Sequence, residues 1–232
     1  MTLTNSTQAP AKTDSGSKDA TERFLASGRA YNYIRDAIYG GLFKPGQIVT
    51  EEDVAEVVGV SRTPVREALR RASADGFLEL EGFRRARVAT FTDEDTKDIF
   101  EIRAVLESLA AERAATRISA EEIERMEKLT DALEEATRAG GTSLFRQFAE
   151  FNNGFHIVLL KASRSRQIQQ ALEHLIEIPL ILHKRFEGTL IGNLERTIRH
   201  HRAIITALKA RDPKWAYAEV MVHLMSARSS LV

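Results

Sequence analysis

Between Thr50 and Gly76 the chain sets a helix start, a tight turn, a second helix start and a helix stop in close succession, and few folds accommodate that spacing. Thr50 caps the first of these helices, with Asp53 at its third position. Val54, Val57 and Val58 recur at helical spacing and are expected to face inward. Gly59 supplies the tight turn. Ser61 caps the next helix and Pro64 fits its first turn. Gly76 is the expected left-handed stop.

The flanks complete the unit. Tyr31, Ile34, Ala37 and Ile38 repeat as one helical face, and Gly40-Gly41 ends that helix. Leu42 to Gly46 reads as a turn. Phe77 to Leu80 and Arg87 to Ala89 alternate as two short strands, with Glu81 to Ala86 as their loop. Three helices followed by a β-hairpin form a winged helix-turn-helix, expected over residues 28–91. Residues 1–27 carry few bulky apolar side chains and read as a disordered arm.

Arginine is concentrated in this unit. Arg62, Arg66, Arg70 and Arg71 face one acid, Glu67, and the wing adds Arg84, Arg85 and Arg87. Arg62, Arg66 and Arg70 share one broad helix face. The whole chain balances 33 basic against 33 acidic side chains. Affinity for nucleic acid must therefore come from a local patch. Arg62, Thr63 and Arg66 project from the start of a helix, where a major groove accepts them. Arginine bonds phosphates or guanine edges there, and threonine bonds phosphates.

The stretch from about Arg29 to Thr90 closely resembles GntR-family bacterial transcription regulators. Leu42-Phe43-Lys44-Pro45-Gly46, Val54 to Leu69 and Asp75-Gly76-Phe77-Leu78 carry the likeness. The resemblance implies operator contacts by Arg62, Thr63 and Arg66, to which charge and placement add Arg70, Arg84 and Arg85. It also implies a homodimer on a short palindromic site. Two positions depart from the family pattern. Glu52 stands where an arginine often contacts DNA. At the wing, Arg85 takes the place of a glycine at the tip. It could enter a narrow minor groove, or its bulk could remove the family contact.

From Thr92 onward (residues 92–232) the pattern is helical throughout, with about six helices expected in an antiparallel bundle. Thr92, the Ser119–Glu122 capping box, Gly140-Gly141, Thr142-Ser143 and Asp212-Pro213 mark the boundaries. Pro179 is expected to kink a helix over residues 165–186, and Gly188 and Gly192 to break the chain. The fold class is mostly α. Asn152 and His156 lie four residues apart, roughly 40° and about 6 Å from each other on a helix, so both can grip one ion. His201 and His223 occupy core-facing positions on two further helices. Spacing alone leaves a metal site and three ordinary core histidines about equally open. His174, His183 and His200 have no assigned role.

Residues 93–231 resemble the FCD effector domain of the FadR subfamily. The likeness rests on Glu101-Ile102-Arg103-Ala104-Val105-Leu106-Glu107, Asn152 to His156, His200 to Ile204, and His223. It implies a divalent metal held by Asn152, His156, His201 and His223, and a small carboxylate effector bound at or beside it. Asn152 replaces the usual aspartate and leaves the site its full formal charge, which weakens metal affinity and strengthens attraction for an anion. Imidazole-rich ligation suits Zn, Ni, Fe or Cu better than Mg or Ca, with Zn or Ni favoured. Arg103 is a candidate clamp for the effector carboxylate, or else an intrahelical partner of Glu107 or Glu101.

The leading function is a ligand-responsive, DNA-binding transcription regulator rather than an enzyme. The alternatives are a DNA-binding protein whose helical domain only dimerises around a structural metal, and a helical-bundle metalloenzyme. The enzyme lacks an obvious general base near the ligands and the repeated E-x-x-H pattern of di-iron bundles. The chain has no cysteine, no apolar run long enough for a membrane and no signal-like N-terminus. A cytoplasmic, membrane-free protein is expected.

Overall fold

The computed structural model describes residues 15–82, 84–172, 175–176 and 190–229. The N-terminal unit runs α1 (Ser15–Tyr39), β1 (Ile48–Thr50), α2 (Glu51–Val58), α3 (Arg62–Ala74), β2 (Leu78–Leu80) and β3 (Arg85–Val88). The three strands form one antiparallel sheet in the order β1-β3-β2, with Ile48 opposite Arg87 and Leu78 opposite Val88. This is a winged helix-turn-helix.

Local chemistry explains the boundaries. Thr50 and Asp53 form a reciprocal capping box at α2, and Gly59 closes that helix at φ 68°. Ser61 is the N-cap of α3, but its side chain makes no capping bond. Tyr31, Ile34, Val54, Val65, Leu69, Phe77 and Val88 close one core between α1, α2, α3 and the sheet. Tyr39 meets Phe77 edge to face, with ring centroids 5.7 Å apart.

Four details of the N-terminal half differ from the sequence reading. Residues 15–27 belong to α1 rather than to a disordered arm. Alanine, glutamate, lysine and arginine sustain a helix without supplying a core, and low hydrophobicity signals only the second. Its exposed Phe24 and Leu25 fit that picture. Strand β1 was hidden because Thr50 ends the strand and caps the next helix. Val57 is 63% exposed, since so short a helix buries only the stripe through Glu51 and Val54. Finally, β3 begins at Arg85, so the wing turn lies at 81–84. Gly82, at φ 75°, carries the positive backbone angle there.

The second half contains α4 (Asp93–Ala115), α5 (Ala120–Ala139), α6 (Leu144–Ala162), α7 (Arg166–Leu172), α8 (Leu190–Lys209) and α9 (Pro213–Arg228). Thr92 and Ser119 form the capping boxes of α4 and α5, and Asp212 accepts from Lys214 and Trp215 ahead of Pro213. Gly192 lies inside α8 rather than at a break. Pro179, Gly188, His174 and His183 lie outside the described residues. Helix α4 packs chiefly on α9, and α5 on α6 and α8. Phe100, Ala111, Met126, Phe155, Leu159, Ile204, Val220 and Leu224 fill the space between them. Leu133, Leu144, Phe148 and Leu194 join the core of the N-terminal unit. The two halves therefore share apolar packing.

Candidate nucleic-acid interface and buried histidine site

Helix α3 buries Pro64, Val65, Ala68, Leu69 and Ala72. The opposite positions, Arg62, Thr63 and Arg70, are exposed, and Arg66 is partly so. Arg66 donates to Glu51 through two parallel bonds, Nε to Oε1 at 2.6 Å and Nη2 to Oε2 at 2.9 Å. Arg62 donates to the exposed Glu52 at 3.0 Å. The bond from Arg66 holds the Glu51 carboxyl below its usual range, and the charges of Arg66, Arg84 and Arg62 add to this against the effect of burial. Three of the expected DNA-contacting arginines thus gather around one acid.

The wing divides into two kinds of arginine. Arg84 and Arg85 are exposed, and Arg85 lies 3.5 Å from Glu81. Arg87 bonds Glu81 at 2.6 Å and the Gly46 carbonyl at 2.8 Å, so it anchors the wing. Arg71 is likewise structural, lying 4.0 Å over the Tyr31 ring. Glu51 was absent from the sequence reading. As the first residue of an amphipathic helix, it gave no sign that it would be buried.

In the helical half, α6, α8 and α9 bring His156, His201 and His223 together. Their nearest ring nitrogens lie within 4.8 Å of one another, and all three side chains are buried. His156 Nε2 faces His223 Nε2 at 3.3 Å. His201 stacks flat on Phe155 at 3.7 Å, and neither of its ring nitrogens has a hydrogen-bond partner. His223 Nδ1 is also unpartnered. Burial pushes His201 and His223 well below their ordinary pKa, and the neighbouring histidines push the same way. Neutral imidazole is the form that ligates metal.

Buried ring nitrogens without partners cost about 1–3 kcal/mol each. A cation at the centre of the cluster would take one ring nitrogen from each histidine, including one of the two on His201, so the residues present fit a divalent metal. Asn152 lines the same cavity as His156, His223 and Arg103, while His201, stacked on Phe155, does not line it.

Glu107, expected only as a partner of Arg103, also reaches His156. Its Oε2 lies 2.5 Å from His156 Nδ1, and its Oε1 accepts from Arg103 Nε at 2.7 Å. Burial would raise this carboxyl, but Arg103 and His156 outweigh it and hold the value at about 2. An ionised Glu107 keeps the proton on His156 Nδ1 and turns the Nε2 lone pair toward the other histidines. The E-x-R-x-x-x-E spacing pointed to the Arg103 pair, not to the contact with α6. Arg103 Nη2 remains without a partner and is buried.

Comparison with known proteins agrees with this architecture. Residues 26–88 match the profile of bacterial regulatory proteins of the gntR family, and residues 98–226 match the FCD domain. The chain belongs to the GntR family, with an FCD domain. Among its GntR relatives, the uncharacterized HTH-type transcriptional regulator YdhC of Bacillus subtilis is 30% identical over 193 residues, covering 83% of this chain and 85% of that protein. A probable D-xylose utilization operon transcriptional repressor of Paenarthrobacter nicotinovorans is 29% identical over 211 residues, covering 89% and 90%. The solved structure of Escherichia coli McbR/YncC superposes with a TM-score of 0.76 at 23% identity, covering 89% of this chain and 96% of that one, and so shares the fold. The relatives of this GntR protein are transcription regulators, not enzymes. Among the described residues, no helix is long and apolar enough to cross a membrane.

Proposed function

We propose that this GntR regulator responds to a small carboxylate that binds in the FCD domain beside a divalent metal. The observation that carries the reading is the buried cluster of His156, His201 and His223, in which both ring nitrogens of His201 and Nδ1 of His223 lack protein partners. With Asn152 they form a neutral ligand set, for which Zn or Ni is favoured. The metal, when bound, supplies an uncompensated positive charge that attracts an anion. Glu107 fixes the tautomer of His156. Arg103 gives Nε to Glu107 and keeps Nη2 for a ligand carboxylate.

The cavity lined by Arg103, Asn152, His156 and His223 is bounded by α4, α6, α8 and α9, so an effector that wedges between these helices would favour a more separated state. Helix α4 begins at Asp93, directly after β3. Its displacement would move the wing. A ligand that favours the separated state shifts the equilibrium only by its difference in affinity for the two states.

On the DNA side, Arg62, Thr63, Arg66 and Arg70 of α3, with Arg84 and Arg85 of the wing, would face a short palindromic operator read by a cytoplasmic homodimer. A thermal-shift screen of organic acids on zinc-loaded protein tests the effector reading, because a ligand of the folded state raises the melting temperature. The hit is then added to an operator titration. A stabilising acid that leaves operator affinity unchanged would reduce the FCD domain to a dimerisation module.

A further inference from the structure

The two arginines at the start of α3 are held in opposite ways. Glu51 is 3% exposed and grips the Nε–Nη2 edge of Arg66 through both carboxylate oxygens. Its own backbone N–H donates to the carbonyl of Arg84 at 3.0 Å, which ties this acid to the wing. Glu52 is 73% exposed at its side chain and holds Arg62 by a single contact, with Arg62 itself 54% exposed. A solvated single contact does little to restrict a long side chain. A buried two-bond grip fixes the plane of the guanidinium.

We propose that Glu51 is a positioning residue that makes Arg66 the base-reading arginine of the recognition helix. A guanidinium has five N–H donors. Glu51 takes two of them, on the side-on edge. The opposite edge, with both Nη1 hydrogens and the second Nη2 hydrogen, keeps the parallel pair that guanine O6 and N7 require. The charge argument points the same way. Arg66 and Glu51 together are nearly neutral, so the pair is a poor counter-ion for phosphate. What remains is directed hydrogen bonding, which reads bases. Arg62 is paired only through the solvated Glu52 contact, which a phosphate can displace, and serves as a backbone contact.

The simpler alternative is that Arg66 exists to neutralise a buried carboxylate. Removing one partner of such a pair leaves the other charge uncompensated, which harms folding whatever the pair does on DNA. The two roles differ in base preference. Under the alternative, folded variants read the same sequence as wild type.

The inference rests on the reading that α3 enters the major groove. Preferred sites are first selected from randomised duplexes with the full-length wild-type protein. Single-base variants of the selected duplex are then titrated with wild type, Arg66→Lys, Glu51→Gln and Glu52→Gln. Arg66→Lys keeps the charge but loses the fork. It should erase a guanine preference of about 5–150-fold at one position in each half-site. Glu51→Gln should erase the preference at that same position. It should also steepen the salt dependence by about 0.9 per half-site, as Arg66 becomes an ordinary phosphate counter-ion. Glu52→Gln should tighten binding to all duplexes alike.

Glu51→Gln that keeps the preference lost in Arg66→Lys overturns the proposal and leaves Glu51 structural. If Arg66→Lys folds and changes no position, Arg66 only neutralises Glu51 and the proposal falls; the placement of α3 in the groove is judged separately, by the operator binding of the Arg62→Ala/Arg66→Ala double variant. Should Glu51→Gln not fold, as judged by circular dichroism, Glu51→Asp carries the test. It retains the charge but draws the carboxylate back by one methylene, and the same loss at the same position is expected.

Discussion

Glu107 and His156 are 49 residues apart in sequence, yet Glu107 Oε2 lies 2.5 Å from His156 Nδ1 inside the helical domain. Both side chains are almost wholly buried. The contact joins α4, which follows the wing, to α6, which carries two of the expected metal ligands. A carboxylate in this position does not touch a metal. It decides which imidazole nitrogen is available to one and makes that nitrogen more basic.

Glu107→Gln should therefore lower metal affinity by about 10–100-fold. The amide can accept from His156 but carries no charge to favour the required tautomer. Competition with a chromophoric chelator, on purified protein loaded with zinc, measures the change. Equal affinity in wild type and variant would mean that Glu107 serves packing with Arg103 and not the histidine site.

Much of this architecture was legible in the sequence because capping and turn chemistry are local. The boxes at Thr50, Ser119 and Thr92, the Asp212-Pro213 start and the stops at Gly59 and Gly140 all depend on residues a few positions apart. The three histidines were legible as core-facing positions on separate helices, while their convergence came only from the resemblance to the FCD domain. Three things were not legible. Strand β1 is three residues long and overlaps a helix cap. Helix α1 extends through residues 22–25, whose side chains are exposed. The two buried acids, Glu51 and Glu107, take their roles from partners 15 and 49 residues away. The local spacing gave Glu107 only its Arg103 partner, four residues away, and gave Glu51 nothing.

Asn152→Asp should have opposite effects on metal and effector. The aspartate adds a negative charge to a neutral ligand set, so zinc is retained more tightly against chelator. The same charge reduces the attraction for a carboxylate by lowering the net charge of the site. Isothermal titration with the acid identified by thermal shift reads the second effect. A variant that tightens both would show that the effector does not sense the charge of the metal site.

At the DNA face, Arg62→Ala and Arg66→Ala should weaken operator binding by different routes. Loss of Arg62 lowers affinity across all duplexes and flattens the salt dependence by about one unit per phosphate contact. Loss of Arg66 costs about 5–150-fold on the preferred site and far less on mismatched duplexes. Full-strength operator binding by the double variant would remove α3 from the interface.

The Glu51–Arg66 pair also gives a pH dependence. The folded-state pKa of Glu51 is depressed, first by the bond from Arg66. Its contribution to stability is complete above the ordinary glutamate value of about 4.3. It is lost as pH falls through the depressed value. Thermal melts from pH 7 downward should show a constant gap between wild type and Glu51→Gln to about pH 4–5, and a closing gap below. Other acids titrate in both proteins and cancel in the difference. A gap that widens on acidification would contradict an ionised Glu51 in the fold.

Arg103 requires a more careful variant than alanine. Its Nε holds Glu107, so Arg103→Ala leaves a carboxylate buried without its cation and should destabilise the domain by about 3–5 kcal/mol. Lost effector response in that variant would then report damage to the fold. Arg103→Lys keeps a positive charge for Glu107 and removes the second edge of the fork, including the unpartnered Nη2. We expect this variant to fold, to retain zinc and to bind operator without effector as wild type does. Its response to the effector should fall from a typical allosteric range of about 5–150-fold to near unity. The comparison is an operator titration with and without the acid, on both proteins, after circular dichroism has matched their melting. If both respond equally, the Nη2 edge does not reach the effector and Arg103 serves only to hold Glu107 against His156.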